Sequence, residues 1–317
     1  MAENNSNTIE ERDLLILGSG PAGLSAALYA ARAELMPLLL TGMILHGQAS
    51  TTDTIENYPG FPEGVGGSEL GQLFQTQAER FGAEIVMDMA TSVDLRQRPF
   101  VIKTYSKEYR AKSLIISTGA SPKKLDVPGE KALTGRGVSY CGTCDGWFFK
   151  DKDIVLVGGG DSALEEGLFL TRFARSVTII HRRDSLRAGA LLQKRAFANP
   201  KIKFIWDSVV TEIIGDDAVK AVRIKNLKTN QESIQETSAV FVTIGHRPNS
   251  ELFVDQLELD ELGYIKVDKY MHTNIPGVFA GGEIADPHYR QVITSAGMGA
   301  AAAIEATRYL ENLEDTE

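Results

Sequence analysis

One element occurs twice in this chain and narrows what it can fold into. Asp13-Leu14-Leu15-Ile16-Leu17 is a short apolar run that ends in Gly18-Ser19-Gly20-Pro21-Ala22-Gly23, and Leu24 to Ala33 continues rich in Ala and Leu. Asp153-Ile154-Val155-Leu156-Val157 ends in Gly158-Gly159-Gly160-Asp161-Ser162-Ala163, and a helix-like stretch continues to about Phe173. Strand, glycine-rich turn and helix together give G-x-G-x-x-G/A its meaning. The first glycine permits the turn, and the second lets the backbone approach a pyrophosphate. The third small residue lets the helix pack close on the strand. The helix start then offers free N–H groups and the positive end of its dipole. Either copy alone could be a tight turn with no ligand. Two copies in matching context predict two bound dinucleotides.

Two further strand-like runs end in glycine, Ser113–Gly119 and Ala239–Gly245. Linker-like tails follow them, Ala120–Gly129 and His246-Arg247-Pro248-Asn249. These runs bracket the second glycine-rich unit. The simplest account is an α/β chain of two Rossmann-like dinucleotide-binding domains, the second inserted into the first. Residues 1–121 and 250–317 would form one domain, and residues 122–249 the other. A chain of 317 residues has room for both. The ends, Met1–Arg12 and Leu313–Glu317, read as solvated and frayed. A net charge of −9 argues against a nucleic-acid binder and against docking on an anionic membrane. No apolar run approaches the ~20 residues of a membrane span. No signal-peptide pattern opens the chain, so a reducing, cytoplasmic setting is the expectation.

The two cysteines, Cys141 and Cys144, stand three residues apart. Half a zinc site is the bland reading, but zinc wants four ligands and there is no second cysteine pair. The histidines at 46, 181, 246, 272 and 288 lack ligand spacing. The expectation is a redox disulfide and no metal. Asp145 follows directly, as a proton carrier or as a turn residue before Gly146.

Val177-Thr178-Ile179-Ile180 reads as the next strand of the second unit, where this fold reads the adenosine ribose. An acid there would suit the 2′-hydroxyl of NAD, whereas arginines suit a 2′-phosphate. The chain has Arg182 and Arg183, with Arg187 a turn later. Guanidinium groups bind phosphate oxygens bidentately, so NADPH is expected over NADH. The first unit has no such cluster after Pro37–Thr41. Near the C-terminus, Gly277–Glu283 ends in Gly-Gly-acid and leads to Tyr289–Val292 and a small-residue-rich helix from about Ile293 to Tyr309. That stretch either brings N–H groups and a carboxylate to a large ligand or is a close-packed helix against a sheet.

With these pieces in place, the chain resembles the low-molecular-weight thioredoxin reductases over about residues 11–311. The motifs that carry the resemblance are GSGPAG at Gly18–Gly23, T-x-x-x-E-N-x-P-G-F at Thr52–Phe61 and CGTCDG at Cys141–Gly146. GGGDSALEE at Gly158–Glu166, HRRDSLRA at His181–Ala188 and YRQ at Tyr289–Gln291 complete the set. The resemblance implies FAD on the first domain, NADPH on the inserted one, a homodimer, and thioredoxin as the disulfide substrate. Cys141 and Cys144 would be the redox pair, with Asp145 moving the proton. FAD contacts would fall on Gly18, Gly20, Pro21, Ala22, Gly23, Thr41, Gly42, Gly47, Gln48, Asn57, Thr118, Gly119, Gly282, Glu283, Arg290, Gln291 and Val292. NADPH contacts would fall on Gly158, Gly160, Asp161, Ser162, Ala163, His181, Arg182, Arg183, Arg187, His246 and Arg247.

The chain departs from the family at two places on the expected flavin face. It has His46-Gly47-Gln48-Ala49 where Gly-Gly-Gln-Leu is usual, and Gly282-Glu283 where Gly-Asp is usual. Because the cysteine pair and the NADPH motif share one inserted domain, both must reach a single flavin in turn. A rotation about linkers near Ala120–Gly129 and Gly245–Ser250 is therefore expected. The alternatives are a flavin reductase with ferredoxin as donor or acceptor, and a dinucleotide-binding redox sensor without turnover.

Overall fold

The computed structural model describes residues 9–52 and 54–315. The chain divides into two compact units, Met1–Ser121 with Arg247–Glu317, and Pro122–His246.

The first unit opens with β1 (Ile9–Leu17), α1 (Pro21–Arg32), β2 (Leu38–Leu40), α2 (Gly67–Arg80) and β3 (Glu84–Val86). A meander follows, β4 (Ala90–Asp94), β5 (Phe100–Thr104) and β6 (Glu108–Ile116). The sheet order is β3-β2-β1-β6-β5-β4, parallel from β3 to β6 and antiparallel through β5 and β4. Alternate residues of the central strands enter different cores. Leu15, Leu17, Leu38, Leu40, Leu114 and Ile116 face the meander side. Leu14, Ile16, Leu39 and Ile115 face the Ala-rich helices. Burial on both faces is why this strand reads as an unbroken apolar run rather than an alternation.

The frayed N-terminal end expected through Arg12 is corrected for Ile9–Arg12. These residues pair with Glu108–Ala111 of β6. Arg12 also donates to Glu10 (2.9 Å from Nε) and to Glu84 (2.5 Å from Nη2). The partner strand supplies order that local polarity concealed. The expectation for residues 1–8 lies outside the described residues.

The chain leaves this unit through β7 (Ala120–Pro122). The second unit holds α3 (Glu130–Leu133), β8 (Val138–Ser139), α4 (Gly142–Asp145), β9 (Asp153–Gly158), α5 (Asp161–Leu170), β10 (Ser176–Ile180), α6 (Ala190–Ala198) and β11 (Ile202–Ile205). After these come β12 (Ser208–Gly215), β13 (Val219–Asn226), β14 (Glu232–Glu236) and β15 (Ala239–Thr243). Five parallel strands stand in the order β11-β10-β9-β15-β8. Leu164, Leu170 and Ala196 pack on one face with Ile154, Leu156, Ile179 and Phe241. The antiparallel β12-β13-β14 layer covers the other through Val210, Ile213, Val222 and Ile224.

The chain returns through β16 (His246–Pro248), then adds β17 (Val278–Ala280) and α7 (Val292–Glu314). The strand β17 lies beside the C-terminal half of β6, pairing Val278 with Leu114 and Ala280 with Ile116. The opposite half of that same edge is held by β5. A Cβ placed on Gly299 of α7 would stand 1.9 Å from Ala22 O. The small residues of this helix thus serve close packing on α1. The helix also runs past Tyr309, and Leu313 packs against its core, so the expected fraying there is corrected to helix through Glu314.

The first linker is shorter than expected. Leu125 and Asp126 N–H groups donate to the buried Glu130 carboxylate at 2.9 and 2.7 Å. Ile213 N–H donates to Pro128 O at 2.9 Å. Leu125–Gly129 therefore belongs to the second unit. The crossings are reduced to β7 and β16, which pair with each other as a two-stranded ribbon.

Candidate functional site

The first cradle gathers at the C-terminal ends of β1, β2, β6 and β17, where open α/β sheets place their ligands. Gly18 has φ +105°, and a Cβ there would lie 2.4 Å from Ser117 O. A Cβ on Gly23 would lie 1.8 Å from Gly18 O. Both positions require glycine so that α1 can start against the strand. No side chain caps that start, which leaves its first N–H groups for an anion. The loop after β2 lies against this turn. Thr41 N–H donates to Val86 O, Gly42 N–H to Asp88 O, and a Cβ on Gly47 would come within 2.8 Å of Gly20 Cα. Gly282 closes the cradle from β17, since a Cβ there would be 2.8 Å from Ala22 Cβ.

Residues far apart in sequence meet around this cradle. Asn57 Nδ2 donates to Gln291 Oε1 at 3.1 Å. Gln291 precedes α7, and its N–H donates to Thr294 Oγ1 at 3.3 Å, with Val292 the first helical residue. The buried Asp286 carboxylate accepts from the N–H groups of His288, Tyr289 and Arg290 and so shapes the YRQ turn. Thr118 Oγ1 donates to Asn249 O at 2.9 Å, and Gly119 follows with φ +68° and open space around it. Pro21 sits in the first turn of α1, while Gln48 opens a single 3-10 turn, Gln48–Thr51.

The second cradle repeats the construction in the other unit. A Cβ on Gly158 would meet Thr243 Oγ1 at 2.6 Å and Ala163 Cβ at 2.7 Å, whereas Gly160 has no atom within 4 Å of such a carbon. One glycine is needed for packing and the other presents open backbone. Ser162 lies exposed in the first turn of α5. Asp161 turns its carboxylate to Gly189 N–H at 2.7 Å. His181 is placed beneath the turn, 6% exposed. Its Nδ1 lies 2.9 Å from Gly158 O and its Nε2 lies 3.1 Å from Ser185 O. Arg187 N–H donates to Gly159 O at 2.8 Å, which brings the arginine loop to the turn.

Arg182, Arg183 and Arg187 are exposed. The one acid of their loop, Asp184, is taken by Lys228 at 2.9 Å, and Lys228 also reaches Asp207 at 3.0 Å. His246 and Arg247 lie on the crossing strand β16, and Arg247 pairs with Glu251 at 2.9 Å.

The cysteines form a disulfide across the first turn of α4, with Cα atoms 5.3 Å apart. Cys141 is the N-cap, and its sulfur accepts from Cys144 N–H at 3.2 Å. Asp145 Oδ2 accepts from Ser139 Oγ at 2.5 Å, and Cys141 N–H donates to the same hydroxyl at 3.1 Å. Glu166 of α5 accepts from Gly142 N–H at 2.8 Å. A Cβ on Gly146 would lie 2.7 Å from Leu170 Cδ2. The redox turn is thus mounted on the helix that begins at the second glycine turn. Among the described residues, no cluster of His, Cys, Asp and Glu could hold a metal.

Comparison with known proteins agrees with this layout. The pyridine nucleotide-disulphide oxidoreductase family matches residues 12–299. A thioredoxin reductase of Streptomyces coelicolor is 50% identical over 309 residues, covering 96% of each chain. One from Rickettsia bellii is 51% identical over 302 residues, 94% of this chain and 97% of that one. The solved thioredoxin reductase of Streptococcus pyogenes superposes with a TM-score of 0.90 at 44% identity, over 97% of this chain and 100% of that one. The chain belongs to the thioredoxin reductase family.

Against the thioredoxin reductase pattern, the longer acid at Glu283 has a distinctive setting. Burial pushes its carboxyl up to about 7; Arg290 draws it down, and Asp286 adds to the rise. Sequence reasoning gave no role to Ser139, Ser19 or Glu166. Glu166 lies inside a recognised motif, but its partner Gly142 is 24 residues away and no spacing rule connects them.

Two predictions follow from this geometry. If Arg182 and Arg183 hold a 2′-phosphate, Arg182→Ala combined with Arg183→Ala removes charge-assisted bonds worth about 1.5–3 kcal/mol each. Losing one such bond should weaken NADPH binding roughly ten- to a hundredfold, so the double variant should lose most of its preference for NADPH while NADH binding stays as it was. Titration with both nucleotides checks this, and an undiminished preference would remove this loop from the phosphate site. The second concerns the flavin-free protein. Unfolded Glu283 loses its proton near 4.5 and the folded group near 7. Between these values the unfolded state alone ionises, so stability falls as pH rises through that window. Above the folded value the loss is complete. Thermal melts should decline over that window, and the profile of Glu283→Gln should be flatter. Superimposable profiles would refute the assignment.

Proposed function

We propose that the chain is an NADPH-dependent, FAD-containing disulfide reductase that acts on oxidised thioredoxin, with FAD in the first cradle and NADPH in the second. The observation that carries this is the disulfide turn fastened to α5 by the Glu166–Gly142 contact. That contact puts a dithiol/disulfide pair and a dinucleotide turn on one rigid element. The three exposed arginines around the second turn suit a 2′-phosphate. The first cradle fits a larger dinucleotide, since it draws on five separate segments and reaches as far as Asn57 and Gln291.

FAD, when bound, supplies a two-electron relay between a hydride donor and a disulfide. The chain's own groups do the rest. One electron pair and one proton from NADPH, with one proton from solvent, convert Cys141–Cys144 to two thiols. These then reduce a partner disulfide by thiol–disulfide exchange. The attacking species is a thiolate, so its proton must be held nearby. The Asp145 carboxylate is the adjacent carrier, and its Oδ2 accepts from Ser139 Oγ. Trp147 and Phe148, 51% and 47% exposed, give the flank of the disulfide an apolar surface that suits a protein substrate. A homodimer is part of this proposal, and sedimentation of the flavin-loaded protein tests it. No helix among the described residues is long and apolar enough to cross a membrane.

The arginine loop disfavours ferredoxin as donor, and the cysteine pair disfavours it as acceptor. A sensor without turnover is separated by one experiment, anaerobic addition of NADPH followed by oxidised thioredoxin. Bleaching and return of the flavin band support the enzyme, and indifference to NADPH overturns it. Cys141→Ser and Cys144→Ser should each abolish thioredoxin reduction, yet leave bleaching by NADPH intact. Near wild-type thioredoxin reduction in either variant would remove the pair from the mechanism.

The proposal also includes rotation of the second unit, with the β7–β16 ribbon as the single hinge. A cross-link that fixes the units should preserve one half-reaction, flavin bleaching or dithiol oxidation, and block the other. Full turnover in the linked protein would rule rotation out.

A further inference from the structure

His46 lies in the loop that follows β2, at φ +64° and 5% exposed. A residue other than glycine is uncommon in this left-handed region, and a buried one is held there by its surroundings. Three contacts hold it. Its N–H donates to Ser19 Oγ at 3.1 Å, inside the first glycine turn. Its ring lies over Gly71 of α2, where a Cβ would come within 2.4 Å of His46 Cβ and 2.5 Å of its Cγ. Its Nε2 meets Gln75 Oε1 at 2.8 Å.

The direction of that last bond follows from the neighbouring one. Gln75 Nε2 donates to Glu79 Oε1 at 2.7 Å, one turn further along α2. A carboxylate only accepts, so the amide nitrogen faces Glu79 and the amide oxygen faces His46. His46 Nε2 therefore carries the hydrogen. The result is a clasp, from the dinucleotide turn through Ser19 and His46 to Gln75. It fixes the loop that carries Gly47, which itself abuts Gly20.

We propose that His46 is a positioning residue that latches the Gly42–Gln48 loop to α2, holds the first cradle closed, and so sets how slowly FAD leaves it. The proposal rests on the assignment of FAD to this cradle. Its side chain occupies a hollow that exists because position 71 lacks a Cβ.

The test measures FAD release from the holoenzyme, followed as the rise in flavin fluorescence after dilution. His46→Gly and Gln75→Leu should each release FAD about tenfold faster, the factor for one lost buried hydrogen bond. His46→Asn should behave like them, since Asn accepts the left-handed backbone but is too short to reach Gln75. NADPH affinity should stay unchanged in all three. Gly71→Ala discriminates most sharply. In the wild-type background the added methyl strikes His46 and should speed release. In the His46→Gly background it meets no ring, and alanine favours the helix, so release should be unchanged or slower. Equal acceleration by Gly71→Ala in both backgrounds, or wild-type release from His46→Gly, would overturn the latch. A wild-type protein that binds no FAD would instead overturn the cofactor assignment.

Discussion

The whole molecule depends on the closeness with which helices approach strand ends at a few positions without a Cβ. At Gly23 an added carbon would sit 1.8 Å from Gly18 O, and at Gly299 it would sit 1.9 Å from Ala22 O. The first contact seats α1 on β1, and the second seats α7 on α1. Together they put the start of α1, the Gly281–Gly282 turn and the base of α7 within one small volume. Gly158 plays the same part in the second unit against Thr243 and Ala163. Interiors are close-packed and yield little, so a single methyl at any of these points displaces a whole element. The same absence of side chains exposes the backbone N–H groups that phosphates need.

Electrostatics then distinguish two cradles of like shape. The second presents three guanidinium groups, and Lys228 keeps the loop's one acid, Asp184, engaged. The first has no such cluster and sets a largely buried carboxyl, Glu283, near Arg290. Size and charge thus separate two ligands that share a pyrophosphate.

The parts that were legible in the sequence are those where local chemistry and final structure coincide. Both glycine turns, the strands before them, the cysteine pair and the insertion were readable because turn sterics and unbroken apolar runs are local signals. The meanders were not. The strand β14, for example, is largely exposed along its length, and nothing in Glu232–Glu236 announces a strand without the pairing of β13. Ile9–Arg12 read as a solvated end because its order comes from β6, about a hundred residues on. Site contacts behave the same way. Asn57 and Gln291 are 234 positions apart, and Ser139 becomes a partner of Asp145 only once α4 has turned between them. His181 was legible as part of the phosphate motif, but its place beneath the turn depends on Gly159 leaving room for a ring.

The placement of β17 has a consequence for the order of assembly during synthesis. The edge of β6 is filled by β5 along one half and by β17 along the other. Between them the ribosome makes all of Pro122–His246, a contiguous unit with its own cores. Domains generally fold as they emerge. The inserted unit can therefore be complete while the unit that surrounds it still has an open strand edge and lacks α7. The nascent chain gains its second cradle before its first, which β17 and α7 close only after the inserted unit has been made.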